Sequence, residues 1–237
     1  MSKSVFLISH YNARPKKNLK NLITQLKRYN CQICVVVNDD NCKQMFFEKT
    51  NNIFYLRRQN TGMNIGAWNE GAAYFNDFDN YFFFQDECFV KDFVFFEKYL
   101  SLLSNRDYGI IGETINLKWA RSWVDIKKSG LNYLLEINGI NIDRVTYYTK
   151  QITEWKIPIG ENASHLRALS FALKREVLDR IKGFHIGLFK EQCIASEIAI
   201  SKKIEQLGLK VIQSNQYPFS YVGHLEWDSS GISKIKN

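Results

Sequence analysis

The chain has 237 residues, 45% of them apolar and 14% aromatic, with a formal net charge of +8. That composition excludes an intrinsically disordered chain and supplies a sizeable core, while no apolar run approaches the ~20 residues of a membrane span. The positive balance admits nucleic acid, an anionic membrane surface or anionic small substrates such as nucleotides. The lysines are scattered, densest at Lys16-Lys17, Lys127-Lys128 and Lys202-Lys203, and no RNP, zinc-finger or Arg-rich signature accompanies them, so sequence-specific nucleic-acid binding is not expected.

Taken in chain order, "SVFLIS" (4–9) reads as a short buried strand, and "NLKNLITQLKRY" (18–29) puts Leu19, Leu22, Ile23 and Leu26 on one helical face. "QICVVV" (32–37) is a second buried strand, and strand, helix, strand in so short a span implies a βαβ unit and a parallel sheet. The alternation continues with a strand at 52–58, a helix from Ile65 to Phe75, a strand at 80–85, a helix at 91–103 and a strand at 108–113. Residues 116–165 have little periodicity and hold Trp119, Trp123 and Trp155, read as core or as exposed stacking platforms. Regularity returns with a strand into a short helix in "LRALSFALKREVLDRI", a Gly-bracketed turn "KGFHIGLF" (182–189), a helix at 195–208 capped by Gly208, and a last strand at 210–214. With no repeats, low-complexity tracts or linkers, the expectation is a single α/β domain.

Five cysteines stand at 31, 34, 42, 88 and 193. Cys31 and Cys34 form a C-x-x-C, but no second such pair or His pair completes a zinc site, so buried reduced thiols are expected. The apolar run near the N-terminus is too short for a signal peptide. The chain is therefore expected in the cytoplasm, with peripheral contact at the inner face of an anionic membrane open to its basic surface.

Ligands of open parallel sheets bind beyond the carboxyl ends of the strands, which here carry "SHYN", "NDD", "RRQN" and "QDE". The last closes the run "YFFFQDECFV" (81–90), where Asp86 and Glu87 repel one another and call for a cation. Arg57 and Arg58, at another strand end, are read as phosphate-neutralising or solvated.

This order of features, together with "NTGMNIGAWNEG" (60–71) and "KGFHIGLF", resembles the GT-A nucleotide-sugar glycosyltransferases, in particular glycosyltransferase family 2, over about residues 4–226. The resemblance implies a GT-A, Rossmann-like, mostly parallel sheet flanked by helices, with a nucleotide-binding half to about residue 115 and an acceptor-binding half after it. It implies transfer of a sugar from a nucleoside-diphosphate donor to a hydroxyl of a glycan or lipid-linked glycan, with inversion, as in polysaccharide biosynthesis. By position in the family pattern, Ser9, Tyr11, Asp39 (or Asp40), Asn60, Gly62, Asn69, Gln85 and Asp86 bind the nucleotide sugar. Asp86, Glu87 and His224 hold Mn²⁺ or Mg²⁺ at the diphosphate. Glu197, at a helix N-terminus that favours its ionised form, is the catalytic base, with Glu191 as the alternative. Gln in the first place and Glu in the last of Gln85-Asp86-Glu87 depart from the family's Asp-x-Asp pattern, which implies weak or partial metal dependence. Two other readings remain: a non-catalytic glycan- or nucleotide-binding module on the same scaffold, and a sugar nucleotidyltransferase, whose glycine-rich first loop "SHYNARPKK" lacks.

Overall fold

The computed structural model describes residues 2–227. In chain order they form β1 (Ser4–Tyr11), α1 (Lys17–Leu26), β2 (Gln32–Asp39), β3 (Phe46–Thr50), β4 (Ile53–Gln59), α2 (Met63–Tyr74), β5 (Asn80–Gln85), β6 (Cys88–Val90), α3 (Phe95–Leu103) and β7 (Tyr108–Gly112). There follow α4 (Trp123–Lys128), β8 (Leu134–Ile137), β9 (Ile140–Asp143), α5 (Arg144–Glu154), β10 (Ser170–Lys174), α6 (Arg175–Arg180), α7 (Lys190–Gln206), β11 (Lys210–Gln213) and β12 (Val222–His224).

Eight strands make one sheet in the order β11-β7-β10-β5-β1-β2-β4-β3. β5, β1, β2 and β4 run parallel to one another, as do β7 and β11, whereas β10 and β3 pair antiparallel with their neighbours. The expected mostly parallel α/β sheet flanked by helices is the one observed.

Strand alternation assigns the apolar side chains to two faces. Val5, Leu7, Cys34, Val36, Tyr81 and Phe83 pack with α2, α6 and α7 on one side, while Phe6, Ile8, Ile33, Val35, Phe82 and Phe84 pack with α1 and α3 on the other. The three consecutive phenylalanines thus serve both layers: Phe83 meets Trp68, Phe171 and Phe184, and Phe82 meets Phe6, Phe96 and Tyr99.

The segment without clear periodicity is ordered into α4, the β8–β9 hairpin and α5, which build a third apolar cluster with α7. Trp119 and Trp123 are buried in that cluster, and Trp155 at its margin stacks on His185 with ring centroids 5.2 Å apart. α7 begins at Lys190 rather than Ala195, because the Gln192 side chain reaches back to accept the Leu188 N–H at 2.9 Å and closes a first turn there. The short strand β6 displaces the start of α3 to Phe95, and β12 returns antiparallel to β6, which brings the end of the described chain back to Glu87. Among the described residues no helix is long and apolar enough to cross a membrane.

Candidate active site

The carboxyl ends of β1, β2 and β5 are tied laterally. The Asp86 N–H donates to the Ser9 carbonyl at 3.1 Å and the Asn12 N–H to the Asn38 carbonyl at 2.8 Å. Ser9 Oγ donates to Asn64 Oδ1 at 2.8 Å, so the first turn of α2 is held against β1. Asp39 is buried at the end of β2, where its carboxylate meets Arg57 Nη2 at 2.6 Å and accepts the Asn41 N–H at 3.0 Å. Asp40 is exposed and accepts from the Tyr11 hydroxyl and from Asn60 Nδ2, so Tyr11 and Asn60 share the rim with it.

Arg58 is buried, binding Asn38, the Thr61 carbonyl and Glu70. Arg57 is partly exposed but pairs with Asp39, so each of the two arginines braces a strand end. Gly62 has φ +75°, and a Cβ there would come 2.1 Å from Ile186 Cγ2, so the loop into α2 lies directly on the 182–189 turn. Asn69 faces away from this edge: its Oδ1 accepts the Phe184 N–H at 2.8 Å, and it borders a separate cavity with Arg175 and Lys182. Its place is structural, joining α2 to the Gly183-Phe184 turn, and not in the crevice.

The positive partner that the 85–87 stretch demanded is Arg14, three residues beyond β1, which the sequence reading left out. Its Nη1 lies 2.5 Å from Glu87 Oε2 and 3.9 Å from Asp86 Oδ1. The other Asp86 oxygen, Oδ2, is 2.5 Å from Nδ1 of His10, and both side chains are buried. Burial pushes the Glu87 carboxyl above the usual glutamate range despite Arg14. Gln85 donates from Nε2 to the Ala168 carbonyl at 2.9 Å.

His224 stands 3.9 Å from Glu87, but its Nδ1 accepts the Glu226 N–H at 3.1 Å, which leaves the proton on Nε2 to be donated to Gln85 Oε1 at 3.2 Å. In that tautomer it braces Gln85 and presents no lone pair to an ion, contrary to the expected ligand role. The small residues 228–230 after it lie outside the described residues. Among the described residues no group of three or more His, Cys, Asp or Glu side chains is gathered as a metal site. Two carboxylates nevertheless suit Mg²⁺ or Mn²⁺ bound jointly with phosphate oxygens, the usual arrangement where substrate completes the shell.

Glu197 lines a cavity of 190 Å³ with Gly62, Asn64, Gln85, Ala168 and Lys190; Glu191, in the first turn of α7, does not. Glu197 lies two turns into the helix, so the helix terminus is not what keeps it charged. Burial pushes its carboxyl up, but His165, the Ala168 N–H and Arg167 outweigh that and hold it below the usual glutamate range. Oε2 accepts the Ala168 N–H at 2.9 Å and Oε1 is 3.6 Å from His165 Nε2.

No family model matches the chain, and no curated protein matches its sequence. Solved structures do. A mannosyltransferase from Pyrobaculum calidifontis, in complex with GDP-Man and Mn²⁺, aligns over 89% of this chain and 54% of its own with TM-score 0.53 and 12% identity. GalNAc-T7 with UDP, GalNAc and Mn²⁺ aligns over 94% of this chain and 43% of its own with TM-score 0.58 and 15% identity. The chain has the GT-A glycosyltransferase fold. It spans about half the length of these two structures, and at such identity the likeness concerns the fold alone.

Proposed function

We propose that this GT-A chain is a glycosyltransferase that moves a sugar from a nucleoside-diphosphate donor to a hydroxyl acceptor with inversion. The observation that carries the reading is that Glu197, a carboxylate held in its charged form, lines the same cavity as Asn64 and Gln85, the residue that precedes Asp86-Glu87 in the chain. The cavity's 190 Å³ is below the ~300–1,000 Å³ of a pocket that takes a whole drug-sized ligand, so it suits one sugar ring with the nucleotide along the open strand ends.

Asp39 would accept from the base, with Tyr11 and Asn60 at the rim. Asp86 and Glu87 would hold a divalent ion, Mn²⁺ or Mg²⁺, which when bound neutralises the charge growing on the leaving diphosphate. Glu197 would take the acceptor proton as the new bond forms. The GDP-Man and Mn²⁺ of one of these GT-A structures and the UDP, GalNAc and Mn²⁺ of the other support this reading, as does the resemblance to family 2 in motif order. Residues after about 115 would shape the side that receives a glycan or lipid-linked glycan, as in assembly of a polysaccharide.

A thermal-shift panel of UDP, GDP, dTDP and CMP with and without Mn²⁺, followed by nucleotide release from the matching sugar donors, tests it. A ligand at a hundred times its dissociation constant stabilises the fold by about 2.7 kcal/mol. A shift for one nucleotide, with release of that nucleotide from its sugar donor, is expected. Binding without release would make the chain a nucleotide-binding module, and no shift at all would overturn the donor site.

A further inference from the structure

The Arg14 guanidinium stands on the two outward carboxylate oxygens of the 85–87 strand end, 2.5 Å from Glu87 Oε2 and 3.9 Å from Asp86 Oδ1. No other oxygen of Asp86 is available, since Oδ2 is held by buried His10 at 2.5 Å. The Arg14 backbone is fixed by its N–H bond to the Tyr11 carbonyl at 2.8 Å, whereas its side chain is 45% exposed and has room to swing. A guanidinium and a divalent cation carry like charge and would seek the same oxygens, so they cannot be there together.

We infer that Arg14 is the resident counter-ion of this site, which a divalent ion must displace from Glu87, so that Arg14 sets the protein's affinity for the ion. This rests on the reading of Asp86-Glu87 as the ion-binding pair and adds the residue that tunes it. Arg14 does two things at once. It stabilises two adjacent acidic side chains that would otherwise repel one another in a half-buried setting, and it raises the threshold concentration at which metal enters. The weak or partial metal dependence expected from the departure at Gln85 and Glu87 then has a further and separate cause in the Arg14–Glu87 ion pair.

The test is binding of Mn²⁺ alone, without nucleotide, followed by calorimetry and by loss of the free-Mn²⁺ electron paramagnetic signal, in wild type, Arg14→Gln, Arg14→Lys and Glu87→Gln. Circular dichroism and thermal melting establish that each variant is folded. Arg14→Gln is expected to bind Mn²⁺ on the order of tenfold more tightly than wild type, equivalent to about 1.4 kcal/mol. Arg14→Lys, which keeps a charge but loses the planar fork, is expected to fall between them, and Glu87→Gln to bind more weakly than wild type. Equal or weaker binding in folded Arg14→Gln, or no binding in any form, overturns the inference. The nucleotide panel is read separately: a nucleotide shift with unchanged Mn²⁺ affinity in Arg14→Gln sinks the role of Arg14 and leaves the donor site standing. Tighter Mn²⁺ binding without any nucleotide shift does the reverse.

Discussion

His165 Nε2 lies 3.6 Å from Glu197 Oε1 on the buried side of the candidate cavity. The ring is held there by its Nδ1, 2.8 Å from the Ala163 carbonyl, and by Asn116 Nδ2, 3.2 Å from Nε2, with Arg167 Nη2 donating to Asn116 Oδ1 at 3.1 Å. The Glu197 carboxylate itself accepts the Ala168 N–H at 2.9 Å and has Arg167 nearby, which keeps it charged and in place, the two properties a general base needs. Replacing it by its neutral isostere, Glu197→Gln, is expected to lower kcat by about 10²–10⁴-fold while nucleotide affinity stays near that of wild type. Calorimetric nucleotide binding beside single-turnover transfer reads both; equal loss in the two would remove Glu197 from the chemistry.

The same contact predicts a displaced pH profile. Because His165 is among the groups that hold the Glu197 carboxyl down, His165→Asn should raise that carboxyl toward its ordinary range. The acid limb of kcat should then move to higher pH, with the KM for donor little changed. A uniform drop in kcat with an unmoved limb would mean that His165 acts on folding or placement only.

Stability should follow the same carboxyl. Its folded value lies below the ordinary 4.5, so its contribution is fully present above about pH 4.5 and is lost as pH falls through the lower folded value. The melting-temperature difference between wild type and Glu197→Gln is therefore expected to be largest above pH 5 and to shrink below pH 4. A constant difference across that range would show that the ionised form does not stabilise the fold.

Much of the sheet was readable because burial writes itself into the pattern. The apolar runs of β1, β2 and β5 are continuous, and the polar residues at their ends mark the crevice edge. The two hairpins were legible but passed over: Asn51-Asn52 and Asn138-Gly139 each carry positive φ at both residues, the signature of a tight two-residue turn. β3 is exposed throughout, so it has no alternation to betray it. Other site features have no local signal. His165 reaches Glu197 across 32 positions, a distance closed where the segment before β10 lies on α7, with the Leu166 N–H on Ser201 Oγ and the Ala168 N–H on Glu197. Arg14 stands in "SHYNARPKK" and Asp86-Glu87 call for a cation, but nothing in the spacing joins the two until β1 and β5 pair in register.

Cysteine chemistry offers an independent check on burial. All five cysteines are free thiols; Cys31 is half-buried and the others are buried. Burial pushes the Cys31 and Cys193 thiols up to about 11, and Cys34 and Cys88 higher still. A thiol of that kind is ionised to roughly one part in a thousand at pH 8, so reaction with an aromatic disulfide reagent should be slow in the native protein. All five should react at once in denaturant. A fast native thiol at Cys193 would mean that the Glu197 cavity opens more widely than its walls show.

Gly62 separates backbone strain from steric fit. Its φ of +75° and that of Gly139, +77°, put both in the left-handed region, so each replacement by alanine carries a conformational cost on the order of 1 kcal/mol. Around Gly139 nothing lies within 4 Å, whereas at Gly62 the new Cβ would meet Ile186 Cγ2 at 2.1 Å and the Gly187 carbonyl at 3.4 Å. Gly62→Ala is therefore expected to lose about 2–3 kcal/mol in urea unfolding against about 1 kcal/mol for Gly139→Ala, the excess being the contact between the α2 loop and the 182–189 turn. Because Gly62 lines the Glu197 cavity, the first variant should also weaken donor binding and the second should not. Equal destabilisation by both would show that Ile186 yields freely, and that the turn is not clamped against the loop that shapes the site.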